Sequence, residues 1–286
     1  FKQKTAYEML RSLVGSEMCI RDRNMLFQSQ IDTYAQKILD DYDAVNPSTI
    51  FKDNIKMSNE DAHLIQSAVT SLREKRGEEV IGYKIGCVSK QTQIKMGFTQ
   101  PAWGRLWKNE LHPNGSILKK INYANPAMEA EFGIILDKDI NSRSVTFEDI
   151  LDSIASIHPI IEIHNLVFNG EPPHGVELLA NNAIHAGVVI GDPIIEKKYS
   201  QVTDLKLKFD GEVIDTWSDK KWPNDILSEL GWLIEEQSKI GNRLKKGDLI
   251  LTGAFGLPVP INDKELVEVK SSLFGNVSAL FTNELS

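Results

Sequence analysis

Three glutamates interrupt two apolar stretches of the chain. Glu129 and Glu131 lie two residues apart within Met128–Leu136, and Glu162 stands within Ile160–Ile163. Residues i and i+2 of a β-strand project from the same face, so the first two carboxylates would point together. Carboxylates held side by side in apolar surroundings repel each other and lose hydration, and a hard divalent cation offsets both effects. Glu-x-Glu alone is common on solvated strand faces, but Glu162 has no Lys or Arg within six residues, which favours a metal site.

A lysine in a third apolar stretch is a second candidate for chemistry. The segment Val80–Val88 has the composition of a buried strand, and Gly82 and Gly86 share the face of Lys84. A face without side chains lets a ligand approach the backbone closely. The alternative is that Lys84 only reaches solvent from a strand end.

Composition limits the class of protein. The chain has 286 residues, of which 41% are hydrophobic and 25% charged, as in an ordinary globular protein. Its net charge of −8 disfavours nucleic acid and anionic membranes as partners, and no window approaches the about 20 apolar residues of a spanning helix. Cys19 and Cys87 form no disulfide or zinc motif. We therefore expect a cytoplasmic protein with a small-molecule partner.

The N-terminal residues differ from the rest of the chain. Residues 12–23 resemble a translated sequencing-adaptor segment, so residues 1–24 are predicted to be non-native and Met25 the natural start. Residues 25–286 are predicted to form a single domain.

The coarse pattern predicts an α+β fold. Helices are expected at residues 28–43, after a capping box at Ser58 and Asp61, and from Pro223 to about Ile240. Asp210-Gly211 predicts a two-residue hairpin turn. Other strands are expected near residues 133–136, 158–166, 187–190, 205–209, 212–216, 248–252, 265–270 and 277–282. Long runs of strands without regular helices between them argue against a doubly wound sheet, and motifs for mononucleotides, dinucleotides and serine hydrolases are absent from the sequence.

Five short motifs occur in a characteristic order. They are Gly82–Gly86, Glu129-x-Glu131, Glu162, Asn181-Asn182-Ala183 and Gly247–Gly253. Together they resemble the 2-keto-4-pentenoate hydratase family, which includes 4-oxalocrotonate decarboxylases and belongs to the fumarylacetoacetate hydrolase superfamily. The resemblance extends from about residue 28 to 281.

The resemblance implies a mixed β-sheet roll with flanking helices, divided into a helical region over residues 25–80 and a metal-binding β-roll over 81–286. It further implies homo-oligomers and a Mg²⁺ or Mn²⁺ ion held by Glu129, Glu131 and Glu162. Such an ion stabilises the negative charge that develops on a 2-oxo acid.

Other site residues follow from the same resemblance. Lys84 matches the pocket lysine, which would hold the substrate carboxylate or pass a proton, and the first role is favoured. Gly86, Asn182, Thr252 and Gly253 would contact the substrate.

The polar pocket departs from the family pattern. Ala102 stands where hydratases commonly have an Asp that is given a role in proton transfer. His164 and His185 are the available replacements, and His185 is our candidate for the catalytic proton carrier. Both could equally be ordinary polar residues.

These features favour a metal-dependent hydratase (hydro-lyase) acting on a small 2-oxo or 2-hydroxydienoic acid, as in the catabolism of aromatic hydrocarbons. A 4-oxalocrotonate-type decarboxylase and an acylpyruvate C–C hydrolase are alternatives. A hydrolase would need a His–Glu pair to activate water, and the sequence offers His63 near Glu60 without a recognisable motif. Because Ala102 replaces that Asp, a non-catalytic 2-oxo acid binding protein is a further alternative.

Overall fold

The computed structural model describes residues 26–50, 55–140, 145–167, 175–195 and 201–283. The predicted adaptor-derived segment, residues 1–24, and Met25 lie outside the described residues. Among the helices that the described residues form, none has the length and apolarity needed to cross a membrane.

The helices of the described residues lie mainly before and between the strands. Their bounds are α1 Gln28–Asp43, α2 Asn59–Lys75, α3 Lys90–Met96, α4 Phe147–Leu151, α5 Val176–Ala180 and α6 Leu230–Lys239. Helix α2 begins with the predicted capping box, in which the Ser58 hydroxyl accepts from the Asp61 amide and the Asp61 carboxylate accepts from the Ser58 amide. Short 3₁₀ turns cover Lys108–Glu110, Lys120–Asn122 and Asn182–Ile184.

The strands form two mixed sheets. Their bounds are β1 Val80–Gly86, β2 Ala102–Trp107, β3 Leu111–Pro113, β4 Ser116–Lys119, β5 Pro126–Leu136, β6 Ile154–Asn165, β7 His185–Ile190, β8 Gln201–Phe209, β9 Glu212–Trp222, β10 Leu249–Leu251, β11 Val259–Pro260, β12 Leu266–Ser271 and β13 Gly275–Thr282. The first sheet has the order β2-β1-β10-β5-β6-β7-β3, with β11 beside β5, and the second has the order β4-β13-β12-β8-β9. This arrangement confirms the predicted α+β class.

The two sheets enclose the main core. Strand β8 alternates buried and half-buried side chains, whereas β6 is buried along almost its whole length because both of its faces are covered. The rings of Phe132 on β5 and Phe274 beside β13 meet edge to face at 5.3 Å. A second apolar cluster joins α1, α2 and α5 to β2. The long antiparallel pair β5–β6 thus becomes a rigid base for the glutamates that it carries.

Two sequence predictions of element bounds need correction, while the hairpin is confirmed. Strand β5 begins at Pro126, seven residues before the predicted 133, and the helix predicted from Pro223 begins only at Leu230. Ile226 and Leu227 are buried in the core, and the Asp225 carboxylate binds the Lys221 amide, so this segment forms turns instead. Asp210 and Gly211 form the predicted turn between β8 and β9, both with positive φ.

Candidate metal and substrate site

The β5–β6 pairing brings the predicted carboxylates together. Glu129 is directly opposite Glu162 in the antiparallel register, and Glu131 follows two residues along β5. Glu131 and Glu162 are buried, and Glu129 is half-buried. We call these three glutamates, with Lys84 and His164, the carboxylate cluster.

Glu162 is the centre of this cluster. Its Oε1 lies 2.8 Å from the Lys84 ammonium and 2.7 Å from His185 Nδ1. His164 Nε2 lies 3.3 Å from the other oxygen of Glu162 and 3.0 Å from Glu129 Oε2. His164 therefore lies between the two opposed carboxylates, and this contact was not among the sequence-predicted ligand contacts.

Glu131 is fixed from the opposite side. Its Oε1 accepts a hydrogen bond from the Gly253 amide. Gly253 has φ +109°, and a Cβ at this position would come 2.3 Å from a Val88 methyl carbon, so the turn requires glycine. The backbone after β10 thus holds one oxygen of Glu131 and leaves the other free.

The charges of the cluster are strongly coupled. Burial alone would lower the pKa of Lys84, but Glu162 and Glu129 raise it above its ordinary value, so the ammonium stays charged. Burial would raise the pKa of Glu162, yet Lys84 and His164 hold it well below its usual range. Burial and the neighbouring Glu162 charge raise the pKa of Glu131 well above normal. A further positive charge beside Glu131 would offset the desolvation of its carboxylate and its repulsion by Glu162.

The donor set fits a divalent cation. Glu131 Oε2 and Glu162 Oε2 are buried and accept no hydrogen bond from any described residue. One ligand atom each from Glu129, Glu162 and His164 lie within 4.8 Å of one another. Carboxylate oxygens are the preferred protein ligands of Mg²⁺ and Mn²⁺, and unpaired buried oxygens are costly without a counter-charge.

A cavity of about 60 Å³ opens onto the cluster. Lys84, Glu129 and His164 line its polar end, and Lys84 is the one Lys or Arg among its described lining residues. Its other walls are mainly apolar, with Cys87, Met96, Ala102, Leu178, Ile184 and Leu257. Burial raises the pKa of the Cys87 thiol to about 11, so this group is neutral at physiological pH.

A strained turn forms another wall of the cavity. Asn182, Ala183 and Ile184 have φ values of 55°, 51° and 55°, a left-handed conformation that is unusual for a β-branched residue such as Ile184. The turn directs the Ala183 carbonyl to accept from Lys84 Nζ at 3.3 Å. Backbone strain of this kind concentrates at functional sites.

The other predicted substrate contacts have mixed placements. Gly86 lines the cavity. Thr252 donates to the Phe132 carbonyl, and Asn182 binds the Arg105 backbone on both sides, so the structure does not bring their polar groups to the cavity. Gly82 also differs from expectation, because a Cβ there would lie 1.9 Å from the Leu249 carbonyl oxygen. The neighbouring strand, and not a ligand, requires that glycine.

His185 lies behind Glu162 and outside the described lining of this cavity. Its Nδ1 faces Glu162, and its Nε2 lies 3.6 Å from Glu110 Oε2. This placement argues against His185 as the catalytic proton carrier, because its described contacts join it to Glu162 and Glu110 and not to the cavity.

A second buried charge cluster was missed by the sequence analysis. Arg73 lies 2.5 Å from carboxylate oxygens of both Glu78 and Glu110, and the Tyr42 hydroxyl donates to Glu110. We call these four residues the arginine cluster. Gln66, Thr70 and Arg73 form a buried polar stripe on α2, and their spacing of four and three residues was the available sequence indication. Glu110 lies in a 3₁₀ turn that carries no motif.

The chain is similar to known proteins over most of its length. It is 28% identical over 223 residues to the 2-keto-4-pentenoate hydratase of Burkholderia vietnamiensis strain G4, with coverage of 77% of this chain and 85% of that protein. No family model matches the chain.

Solved structures share the fold. The 4-oxalocrotonate decarboxylase from Pseudomonas putida G7, complexed with magnesium and adipate, has a TM-score of 0.82 and 21% identity, with coverage of 90% of this chain and 99% of that one. The fumarylpyruvate hydrolase from Pseudomonas aeruginosa, in complex with Mn²⁺ and pyruvate, has a TM-score of 0.55 and 15% identity, covering 71% and 89%. The chain is therefore similar over most of its length to 2-keto-4-pentenoate hydratases, the family that its ordered motifs resemble, and it has the fumarylacetoacetate hydrolase-type fold that they predicted.

Proposed function

We propose that the protein is a divalent-metal-dependent hydratase, a hydro-lyase acting on a small 2-oxo or 2-hydroxydienoic acid. The observation that carries the proposal is the carboxylate cluster: Lys84, Glu129 and His164 form the polar end of a cavity, and behind them buried oxygens of Glu131 and Glu162 accept no hydrogen bond from any described residue. The similarity to a 2-keto-4-pentenoate hydratase supports the same reaction class.

Glu129, Glu131 and Glu162 would hold the cation, which we propose to be Mg²⁺ or Mn²⁺. When bound, it supplies positive charge that stabilises the enolate form of a 2-oxo acid. Similar folds have been solved with magnesium and with Mn²⁺, the latter together with pyruvate, which is itself a 2-oxo acid.

Lys84 would bind the substrate carboxylate. Its ammonium lines the cavity, and the coupled glutamates raise its pKa, which favours a permanent cation over a general base. A bound carboxylate would compete with Glu162 and the Ala183 carbonyl for the three donors of this ammonium. Because Lys84 also contacts Glu162, substrate binding would affect the position of this proposed metal ligand.

The apolar walls favour a substrate with one carboxylate and an uncharged tail. A second carboxylate at the far end would lack a lysine or arginine partner among the described lining residues, and burying an unpaired charge is unfavourable. This observation favours 2-hydroxypenta-2,4-dienoate over the dicarboxylate 4-oxalocrotonate.

The fold similarity to a 4-oxalocrotonate decarboxylase keeps decarboxylation as the second candidate. The acylpyruvate hydrolase has less support, because His63 stacks on Trp103 at 5.3 Å and is absent from the described lining of the cavity. Ala102 does line the cavity, so the chain lacks a carboxylate there for proton transfer. A non-catalytic binding protein remains the fourth candidate.

Ultraviolet absorbance tests the proposal. The protein is mixed with Mg²⁺ or Mn²⁺ and, separately, with 2-hydroxypenta-2,4-dienoate, 4-oxalocrotonate and an acylpyruvate. We expect metal-dependent conversion of the dienoate to a 4-hydroxy-2-oxo acid, abolished by EDTA and strongly reduced in Lys84→Met. Faster loss of CO₂ from 4-oxalocrotonate would favour the decarboxylase, and metal-dependent oxalate binding without turnover would favour the binding protein.

We further propose that the protein acts in the cytoplasm as a homo-oligomer, without nucleic acid or membrane partners. The net charge of −8 disfavours nucleic acid and anionic membranes as partners, the lack of a disulfide framework favours a reducing compartment, and the homo-oligomer is implied by the family resemblance. Size-exclusion chromatography with light scattering tests the oligomer, and a monomeric mass would contradict it.

A further inference from the structure

His185 lies between two buried carboxylates that belong to different parts of the molecule. Its Nδ1 is 2.7 Å from Glu162 Oε1 on β6, and its Nε2 is 3.6 Å from Glu110 Oε2 in the turn after β2. The His185 side chain is fully buried, and those of Glu110 and Glu162 are 6% and 1% exposed. Solvent therefore weakens these electrostatic contacts very little.

The Glu110 contact is the remaining polar interaction of the ring. His185 Nε2 and Glu110 Oε2 are both buried, and neither has a hydrogen-bond partner among the described residues. These two atoms face each other across 3.6 Å. A carboxylate on each ring nitrogen defines the plane of the imidazole, as outer carboxylates do for histidines beside metals.

Glu110 is itself firmly held. Its Oε1 lies 2.5 Å from an Arg73 nitrogen of α2 and accepts from the Tyr42 hydroxyl of α1. Burial, followed by the Glu110 charge, raises the pKa of Tyr42, so the phenol keeps the proton that it donates. The two N-terminal helices thereby anchor one carboxylate oxygen while the other faces His185.

We propose that Glu110 is a positioning residue that acts through His185 to fix the orientation of Glu162. The inference rests on the proposed function, in which Glu162 is a metal ligand. The chain Arg73–Glu110–His185–Glu162 connects α2 to the cation site. These contacts hold Glu162 Oε1 toward Lys84 and His185, which leaves Glu162 Oε2 available for the cation.

Mn²⁺ affinity, measured by electron paramagnetic resonance of the free ion, tests the proposal on the full chain. Glu110→Gln keeps the size of the side chain and removes its charge. We expect the Mn²⁺ dissociation constant to rise about tenfold or more, the usual effect of removing an outer carboxylate. The kcat should fall more than KM changes, because the substrate carboxylate binds Lys84 and not Glu110.

Glu78→Gln is the matched control. Glu78 accepts from the same Arg73 guanidinium but does not reach His185 among the described contacts. Its Mn²⁺ affinity should remain within about twofold of the unaltered protein. An equal loss in Glu78→Gln would mean that any disturbance of Arg73 weakens the site, and would overturn the proposal.

A double-mutant cycle tests whether the effect passes through His185. If it does, Glu110→Gln should change Mn²⁺ affinity less than about twofold in a His185→Asn background, because the histidine that links Glu110 to Glu162 is already absent. A full additive effect would overturn the route through His185. If Glu110→Gln does not fold, Arg73→Met/Glu110→Gln removes both buried charges and carries the same expectation.

The test separates this inference from the proposed function. If the unaltered protein binds no Mn²⁺, the proposed metal site fails and this inference falls with it. If the unaltered protein binds Mn²⁺ and the Glu110→Gln variant binds it equally tightly, only the positioning role of Glu110 is overturned.

Discussion

The carboxylate cluster and the arginine cluster are both buried, yet their charges are balanced differently. In the arginine cluster, one guanidinium bridges Glu78 and Glu110 and lies 4.0 Å from the centre of the Trp107 ring. In the carboxylate cluster, Lys84 contacts Glu162, and His164 contacts Glu129 and Glu162, while Glu131 contacts the Gly253 amide. Two of the buried glutamate oxygens there lack any described hydrogen-bond donor.

This difference separates a cluster whose charges are compensated within the protein from one that requires an added cation. A buried ion pair with good geometry offsets the desolvation of its members, and removing one member is destabilising. Unbalanced buried carboxylates destabilise the fold until a ligand supplies the missing charge. Removing a charge should therefore mainly lower the free energy of unfolding at the arginine cluster and mainly abolish metal binding at the carboxylate cluster.

Glu162→Gln should produce the largest effect. It removes the central negative charge of the carboxylate cluster and leaves Lys84 and His185 beside a neutral amide. We expect Mn²⁺ binding to be lost and kcat/KM to fall at least about a thousandfold, equivalent to roughly 4 kcal/mol of transition-state stabilisation. Steady-state kinetics and Mn²⁺ titration measure both, with Glu78→Gln as the control, and near-normal Mn²⁺ affinity would place the cation elsewhere.

Much of the carboxylate cluster could be predicted from sequence because it depends on local rules. The two-residue period of a strand aligns Glu129 with Glu131, and the order of the motifs predicted the fold. The β5–β6 register, which sets Glu129 opposite Glu162, is a long-range property that no local pattern encodes. His164 follows Glu162 by two residues on β6, so the local strand period could have placed it in the cluster, and only its contact with Glu129 depends on the register.

The arginine cluster escaped prediction because its members come from distant segments. Tyr42, Arg73 and Glu110 belong to α1, α2 and a turn after β2, and only packing of the helices against the sheet joins them. The sequence pattern also failed for residues 223–229, which form turns before the helix begins at Leu230.

Arg73→Met tests the structural side of the comparison. The substitution keeps an apolar stem but leaves Glu110 as a buried, uncompensated anion, so the free energy of unfolding should fall by about 3 kcal/mol. Urea denaturation measures this value. The control is Arg76→Met, because Arg76 caps the same helix end but its side chain is 37% exposed and should contribute much less. Equal losses in the two variants would remove burial as the deciding factor.

Added cation tests the functional side of the comparison. Mn²⁺ that binds only the folded protein should stabilise it by about 2.7 kcal/mol at one hundred times its dissociation constant. Denaturant unfolding with Mn²⁺ and with EDTA measures the difference, and Glu162→Gln should show none. Mn²⁺ should stabilise Arg73→Met by no more than it stabilises the unaltered protein, so the variant should remain less stable at every Mn²⁺ concentration. Stabilisation of Glu162→Gln equal to that of the unaltered protein would show that the cation binds away from the cluster.

The smallest effect is expected at an exposed ion pair whose atoms are just as close. Lys108 Nζ lies 2.7 Å from Glu79 Oε2, nearly the same separation as the 2.8 Å between Lys84 and Glu162, but its side chains are 67% and 61% exposed. Water screens such a pair, so Lys108→Met should change the free energy of unfolding by less than about 1 kcal/mol. Urea denaturation beside Arg73→Met provides the comparison. Similar losses in the two variants would mean that the separation of the charged atoms governs the strength of these contacts. A smaller loss for Lys108→Met would mean that burial governs it. By the same reasoning, the buried oxygens of Glu131 and Glu162 are costly because no solvent compensates their charge.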